Sequence, residues 1–185
     1  MLYTRKGDKG ETGFFGSDKR VSKASARPEA LGELDELNSF LGVCKVKAEK
    51  EDFETKEGNH SLADTLNDIQ QNLFIVQGEV AGATTRITEE KVKQVEGVIA
   101  DIEKELPPIK MFKVAGGEQL SAMVDYARAV SRRAERRVVK ACEEEEAKVG
   151  EHTLQYLNRL SSLLYALSRL INAKSGIKEQ SPTYE

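Results

Sequence analysis

The sequence predicts an all-α fold: a five-helix up-and-down bundle preceded by a glycine-rich N-terminal loop. Apolar residues recur every three or four positions in five separate stretches, which is the spacing of helices that bury one face. The composition is 39% hydrophobic with only four prolines, as is typical of a helical protein. A strand pattern is present only weakly, around 109–115.

The length of 185 residues corresponds to one domain, large enough to form a core without disulfides or metals. We expect 1–26 to form the N-terminal loop, 27–175 the bundle and 176–185 a mobile tail. Cys44 and Cys142 lie inside helical patterns without a CxxC pair. They are interpreted as small core residues of a protein from a reducing compartment.

The charge and the terminal sequence narrow the class of protein. The net charge is only −3, so neither nucleic acid nor an anionic membrane is an expected partner. No segment reaches the roughly 18 apolar residues of a membrane span, and the N-terminus lacks a signal or transit pattern. His60 and His152 do not have zinc-ligand spacing, so no protein-held metal site is expected. The sequence thus predicts a cytoplasmic protein.

Each helix has its own start or stop signal. Pro28 suits the first turn of the first helix, which extends to a polar loop at 51–59. Thr88 is the predicted N-cap of the third helix, and Pro107–Pro108 stop it. The fifth helix is predicted over Glu151–Lys174. The predicted core positions of these helices are Leu31, Leu34, Leu37, Leu41, Leu62, Leu66, Ile69, Leu73, Val76, Val80, Val92, Val95, Ile99, Ile102, Leu106, Leu154, Leu157, Leu160, Leu164, Leu167 and Ile171.

The fourth helix, predicted from Leu120 to Ala141, has a second line of residues beside its apolar stripe. Arg128, Arg132 and Glu135 follow one another at i, i+4 and i+7, with Val124 and Val139 close by. Because a solvated face rarely includes two valines, this line is predicted to contact a partner chain or a ligand. An exposed face of salt bridges is the alternative that stays open. The remaining charges are interpreted as solvent-facing: Arg133, Arg136, Arg137 and Lys140.

Glycine recurs every third residue near the N-terminus, at Gly7, Gly10, Gly13 and Gly16. Glycine with positive φ leaves N–H groups free to converge, and nearby basic side chains then complete an anion-binding nest. The segment is not a Walker A loop, because GxxxxGK[ST] is absent. A phosphate-binding loop and a flexible N-terminal arm both stay open. The basic residues beside the glycines are Arg5, Lys6, Lys9 and Lys19.

Two further positions have more than one interpretation. Asp35 and Asn38 lie beside the leucine row of the first helix and could face a site or a partner. Phe112 lies in the short apolar connection before Gly116–Gly117. It is either a core plug, which the pattern favours, or an exposed contact.

Five motifs, in order along nearly the whole chain, resemble the PduO-type ATP:cob(I)alamin adenosyltransferases. They are TRKGDKGETG at 4–13, VSK at 21–23, LDELN at 34–38, RAVSRRAER at 128–136 and YLNR at 156–159. The resemblance implies a homotrimer of ferritin-like five-helix bundles, with ATP held at each subunit interface. It implies a salt bridge between Asp35 and Arg128 across that interface and a cobalamin-facing role for Phe112. The residues that it implies for nucleotide binding are Thr4, Arg5, Lys6, Gly7, Asp8, Gly10, Thr12, Lys23, Arg132, Glu135 and Asn158.

The resemblance also implies the reaction. Cob(I)alamin attacks the 5′ carbon of ATP and displaces triphosphate, whose charge Arg132, the basic loop and Mg²⁺ compensate. No general base is needed, which agrees with the absence of a Ser, Cys or His constellation. An apolar Phe112 would exclude a lower axial ligand and ease reduction of cob(II)alamin. Expected partners are a flavoprotein reductase and a cobalamin-dependent mutase or dehydratase that receives the product.

Two residues depart from the family pattern: Leu31 replaces a frequent aromatic residue and Ala115 a frequent proline. Both lie on the cobalamin side, so the loop that includes Phe112 is expected to be more mobile.

Two other functions stay open, a non-catalytic ATP-regulated cobalamin carrier and a structural helical oligomer with a basic arm. An enzyme releases triphosphate during turnover, whereas a cobalamin carrier does not. A rise of the melting temperature with ATP would exclude the structural oligomer.

Overall fold

The computed structural model describes residues 3–14, 18–50, 61–144 and 146–184. Within these ranges the chain forms five α-helices and one short two-stranded sheet, so the predicted helical-bundle class is confirmed. The loop predicted at 51–59, together with His60 and Gly16, lies outside the described residues. The helices are α1 (Ala26–Ala48), α2 (Leu62–Val80), α3 (Glu89–Glu105), α4 (Gln119–Glu143) and α5 (Glu151–Lys174).

The sheet is a feature that the sequence pattern did not indicate. β1 (Glu11–Gly13) pairs antiparallel with β2 (Arg20–Ser22), with Thr12 opposite Val21. Strands of three residues are too short to show a period of two. The strand suggested around 109–115 was wrong, because that segment is an irregular connection in the structure.

The helices enclose one core in an order that differs from the sequence. α2 packs on α1, α1 on α4, α4 on α5 and α5 on α3, whereas α2 and α3 meet only loosely. The predicted core is confirmed at most positions, with Leu34, Leu66 and Leu157 fully buried. The predicted positions that are only partly buried are Leu31, Ile99, Leu106 and Leu154.

Ion pairs attach α4 to α1 on the outside of the core. Arg133 donates to Glu33 at 2.5 Å and to Glu36 at 2.7 Å, and Arg137 lies 3.4 Å from Glu29. Both arginine side chains stay about 40% exposed, which agrees with the solvent-facing interpretation. Their acidic partners were not predicted, because the pattern of α4 alone does not show which acids lie opposite. The pairs remain partly exposed, so each contributes at most about 1 kcal/mol.

A buried carboxylate joins the end of α2 to the start of α5. Glu79 is 1% exposed; it accepts hydrogen bonds from the Gly150 N–H and the Thr153 hydroxyl. The guanidinium of Arg86 lies 3.3 Å from the same carboxylate. A buried charge is tolerated only when it is satisfied in this way, so Glu79 fixes where α5 begins.

The C-terminal tail contacts the connection between α3 and α4. The Val114 N–H donates to the Gln180 carbonyl at 2.9 Å, and Glu179 pairs with Arg169 at 3.0 Å. The mobility predicted for 176–185 stays a prediction, whereas these contacts were not foreseen. None of the helices described is long and apolar enough to cross a membrane.

Candidate active site

The predicted residues of α4 and α5 meet in one cavity. Arg132, Glu135 and Asn158 line a space of about 300 Å³ between the two helices. The Asn158 amide donates to Glu135 Oε1 at 3.1 Å, so the two side chains hold each other in place. The Arg132 backbone carbonyl accepts from Arg136, but the Arg132 guanidinium has no hydrogen bond or ion pair with any described residue. It is exposed and therefore available to an anion.

The second line of α4 is partly confirmed. Val139 is 37% exposed and lies beside Arg132 in the same cavity. Val124 is fully buried, so its place on this line was wrong and it belongs to the core stripe. Arg128 does not pair with Asp35 within the chain; its Nε donates to Asp125 at 2.6 Å.

The cavity has only a small positive excess. Three of its residues are basic and two are acidic: Arg132, Arg136 and Lys140 against Glu135 and Glu143. The triphosphate that the family resemblance implies has several negative charges, more than this excess of one positive charge offsets. Further cations therefore have to come from outside the α4–α5 cavity.

The N-terminal loop is a described segment in which cations are concentrated, at Arg5, Lys6 and Lys9. Two tight turns form it, in which Asp8 N–H donates to Arg5 O at 3.3 Å and Gly10 N–H to Gly7 O at 3.2 Å. Arg5 and Gly10 have positive φ values of 59° and 78°, which non-glycine residues seldom adopt. The N–H of Lys23 donates to the Gly10 carbonyl at 2.9 Å, so β2 closes the loop.

Lys23 lies directly over this loop. A side-chain carbon at Gly7 would come within 3.0 Å of Lys23 Nζ and 3.3 Å of its Cε, so a larger residue there would displace the end of the lysine side chain. Thr4 accepts a hydrogen bond from the Lys6 N–H at 3.4 Å. The side chain of Arg20 donates to the Lys6 carbonyl at 2.6 Å; the sequence analysis did not identify this support.

The loop and the α4–α5 cavity remain separate within one chain. No hydrogen bond or ion pair among the described residues joins Thr4–Thr12 to Arg132, Glu135 or Asn158. Asp35 lines a third space, of about 570 Å³ between α1 and α2, together with the 60% exposed Phe74. The single chain thus assembles two parts of the predicted site and leaves Asp35 and Arg128 apart.

Phe112 lies on the surface. Its side chain is 80% exposed, so the core-plug interpretation was wrong and the exposed-contact interpretation is the one that agrees with the structure. Ile109, Met111 and Val114 on the same connection are each more than half exposed. Together these side chains form an apolar surface of the kind that marks a contact site.

The connection that includes Phe112 is held at both ends by α5. Arg169 donates to the Pro107 carbonyl at 3.2 Å. Asn172 donates to the Gly116 carbonyl and accepts from the Glu118 N–H, both at 3.0 Å. Sequence reasoning missed both residues, although two polar side chains three positions apart inside a leucine-rich helix were a usable signal.

Gly117 explains why glycine ends this connection. Its φ is 107°, and an added side-chain carbon would collide with the Asn172 amide. Any other residue there would move Asn172 or shift the connection.

The cysteines have no nucleophilic role in this arrangement. Burial raises the pKa of Cys44 to about 11 and also raises the pKa of Cys142. Cys44 is fully buried, as predicted, whereas Cys142 is only partly buried. In the described ranges no group of three His, Cys, Asp or Glu side chains is arranged to hold a metal ion.

Known proteins are similar to this chain in sequence and in fold. Residues 2–171 match the cobalamin adenosyltransferase family. A corrinoid adenosyltransferase of Bacillus subtilis is 41% identical over 95% of this chain and 89% of its own. The corrinoid adenosyltransferase PduO of Citrobacter freundii is 35% identical over 91% of this chain, which spans only 49% of that longer protein.

Solved structures agree with the sequence matches. A variant PduO-type ATP:corrinoid adenosyltransferase from Lactobacillus reuteri, complexed with cobalamin and ATP, superposes with a TM-score of 0.86. It is 28% identical and covers 100% of this chain and 97% of its own. The chain described here belongs to the cobalamin adenosyltransferase family. Within that family it is a corrinoid adenosyltransferase of the PduO type.

Proposed function

We propose that Arg132, Glu135 and Asn158 hold ATP while this enzyme transfers the 5′-deoxyadenosyl group of ATP to cob(I)alamin. The transfer yields adenosylcobalamin and inorganic triphosphate. The observation that carries the assignment of residues is the exposed guanidinium of Arg132, unpaired among the described residues and beside the Asn158–Glu135 pair. An arginine without an internal partner can bind phosphate oxygens bidentately without losing another contact.

The chemistry explains why the site needs arginine rather than a base. The nucleophile is the metal-centred lone pair of cob(I)alamin, so no proton has to be removed. The leaving triphosphate gains negative charge as the bond to the 5′ carbon breaks. Donors placed where that charge develops lower the barrier.

The N-terminal loop supplies the remaining contacts to the phosphates. Its glycine turns present backbone N–H groups, and Lys23 adds a cation directly over Gly7. The exposed carboxylate of Asp8 would be a suitable hard ligand for a Mg²⁺ ion that accompanies ATP. The residues proposed for this role are Thr4, Arg5, Lys6, Gly7, Asp8, Gly10, Thr12 and Lys23.

The separation of the two half-sites supports an assembly in which neighbouring subunits share each nucleotide. The loop of one subunit would close over the α4–α5 cavity of the next, giving a homotrimer with three sites. Asp35 has no hydrogen bond or ion pair among the described residues and lies beside the exposed Phe74. A pair between Asp35 and Arg128 of an adjacent subunit would satisfy this carboxylate and bury Phe74.

The apolar surface around Phe112 is the proposed contact for the corrin ring. An exposed phenylalanine on a connection fixed at both ends by α5 can cover the lower face and exclude water. Ala115 follows Val114 on this connection, and Leu31 lines the space between α1 and α2 beside Asp35. We also propose that the protein is cytoplasmic and that a flavoprotein reductase is one of its partners. A cobalamin-dependent mutase or dehydratase would receive the product.

Arg132→Ala tests the assignment. We expect kcat to fall about a hundredfold to a thousandfold, as when one transition-state donor is lost. The assay follows the spectral conversion of reduced cobalamin with ATP, and triphosphate release in the same reaction distinguishes the enzyme from a cobalamin carrier. Unchanged turnover would remove Arg132 from the site.

Arg137→Ala is the matched control. It lies on the same helix, and its ion pair with Glu29 is long and partly exposed. Its removal should leave turnover and subunit assembly unchanged, so a loss confined to Arg132→Ala reports on the site.

A further inference from the structure

A cavity of about 490 Å³ lies between the α3–α4 connection and the C-terminal tail, beside the last turns of α5. Neither Phe112 nor any residue assigned above to ATP lines it. Met111 belongs both to this lining and to the apolar surface around Phe112. The volume falls within the range of small-molecule sites.

Hydrogen bonds fix both walls of this cavity. Arg169 is 7% exposed; its Nη2 donates to the Pro107 carbonyl at 3.2 Å and its Nε to Glu179 at 3.0 Å. One buried guanidinium therefore joins the connection to the tail. The Ile177 N–H donates to the Asn172 carbonyl at 2.8 Å, which holds the tail at the end of α5. Because its walls are held in this way, the cavity is formed before a ligand arrives.

The lining has a large excess of positive charge. Four of its side chains are basic and one is acidic: Lys110, Lys113, Arg169 and Lys178 against Glu179. Lys113 Nζ donates to the uncharged Ser181 hydroxyl at 3.4 Å. Neither Lys110 nor Lys178 makes a hydrogen bond or ion pair with any residue that the structure describes. The chain as a whole has a net charge of −3, so this excess is a local property of the cavity.

Arg169 adds a buried cation with donors to spare. A guanidinium has N–H groups on all three nitrogens, whereas Nη1 of Arg169 donates to no residue in the described ranges. The only acid of the lining, Glu179, is already paired with this arginine. The three lysines are therefore left without a negative partner, and the cavity favours an anion.

The rest of the lining is apolar: Leu106, Pro107, Pro108, Met111, Ala173 and Ile177. We infer that this cavity binds an organic phosphate monoester. Its phosphate oxygens contact Lys110, Lys113 and Lys178. Its organic part packs on Met111 and Ile177. A phosphate monoester has a charge of about −1.5 to −2 at neutral pH, so it matches three lysines better than a carboxylate does, and lysine binds phosphate as a point charge.

The test uses isothermal titration of the full chain with three probes that have the same type of alkyl chain: n-butyl phosphate, butyrate and n-butylammonium. We expect n-butyl phosphate to bind at least about tenfold more tightly than butyrate, because its larger charge meets more of the lysines. The ammonium probe should not bind measurably, and inorganic phosphate should bind more weakly than its butyl ester because it lacks the apolar contacts. Equal affinity for n-butyl phosphate and butyrate, or no binding of n-butyl phosphate in the millimolar range, would overturn the inference.

Lys178→Met and Lys110→Met locate the binding. Each removes one charge at an exposed position and keeps an unbranched side chain, so each should weaken n-butyl phosphate about fivefold to tenfold without affecting the fold. Lys148→Met is the control, at an exposed lysine between α4 and α5 that does not line the cavity, and should bind as the wild type does. Equal losses in all three variants would mean attraction by general surface charge and would contradict the inference.

A phosphate ester also fits the proposed ATP site, so Arg132→Ala is a second control. It should bind n-butyl phosphate as the wild type does, whereas Lys178→Met should keep the wild-type rate of adenosylation. If only Arg132→Ala loses the phosphate, or if Lys178→Met lowers turnover as much as phosphate affinity, the cavity is not a separate site and the inference fails. Failure of the proposed function is distinguishable, because it would appear as unchanged turnover in Arg132→Ala and would leave the titration of this cavity unaffected.

Discussion

Phe112→Ala separates a surface contact from a core residue. Truncating a buried phenylalanine costs about 3–5 kcal/mol. The side chain is 80% exposed, so only about a fifth of those contacts exist, and the free energy of unfolding should fall by less than about 1 kcal/mol. Leu34→Ala, at a fully buried position, should cost about 2–5 kcal/mol in the same urea titration.

The functional effect of the same change should be large. If Phe112 covers the lower face of the corrin, its loss admits water or an axial ligand and makes reduction of cob(II)alamin harder. We expect the rate from cob(II)alamin with a reductant to fall far more than the rate from pre-reduced cob(I)alamin. Both rates are measured by the absorbance change that follows adenosylation.

Two outcomes would refute this reasoning. A loss of stability comparable to that of Leu34→Ala would mean that Phe112 packs in the core. Equal losses of rate from the two cobalamin states would mean that Phe112 contributes to nucleotide or corrin binding in general and not to the reduction step.

Three further changes address the assembly, the fold and the cysteines. Asp35→Ala should lower the mass measured in solution or weaken ATP binding, because Arg128 of an adjacent subunit would keep Asp125 of its own chain but lose its partner across the interface. Glu79→Ala should lower the free energy of unfolding by about 2–4 kcal/mol, since the Thr153 hydroxyl and the Gly150 N–H lose a buried acceptor. Burial raises the pKa of Cys44 from its ordinary 9.0 to about 11, so its contribution to stability is present below pH 9.0 and is lost as the pH rises towards 11.

Each change has a matched comparison. For Asp35→Ala the comparison is Glu36→Ala on the same helix, which should keep the native mass in solution and the native affinity for ATP. If Asp35→Ala also keeps both, the proposed interface is contradicted. Glu79→Gln keeps one acceptor and should cost less than Glu79→Ala. For Cys44 the comparison is Cys44→Ala, and identical stability profiles of the two proteins between neutral and alkaline pH would contradict the pKa argument.

The helices could be predicted well because apolar periodicity and the start and stop residues lie within each helix or next to it. The bounds of α5 were predicted as observed, since Gly150 and Gly176 flank a leucine pattern that only Asn158 and Arg159 interrupt. The pairings of Arg133 and Arg137 could not be predicted, because they depend on which helix lies beside α4. The exposure of Phe112 was ambiguous, since a short apolar segment has no period that separates core from surface.

Helical spacing alone predicted that Arg132 and Glu135 face a ligand or a partner chain, and the family resemblance added Asn158 and the nucleotide. The structure places these three side chains in one cavity. The resemblance offered no information on Arg169 or Asn172, which act on the backbone of the Phe112 connection. The ion pair between Asp35 and Arg128 would form between two subunits, so the structure of one chain does not test it and it remains a prediction.

The hydrogen bonds that fix the two ends of the α3–α4 connection leave the sequence of its centre free to vary. Arg169 and Asn172 both grip main-chain carbonyls, at Pro107 and Gly116, and neither depends on the side chains between 109 and 114. New sequences of equal length could therefore be grafted there, with the two anchor points retained. Variants with different corrin preferences would then differ from one another in six consecutive residues on an unchanged frame.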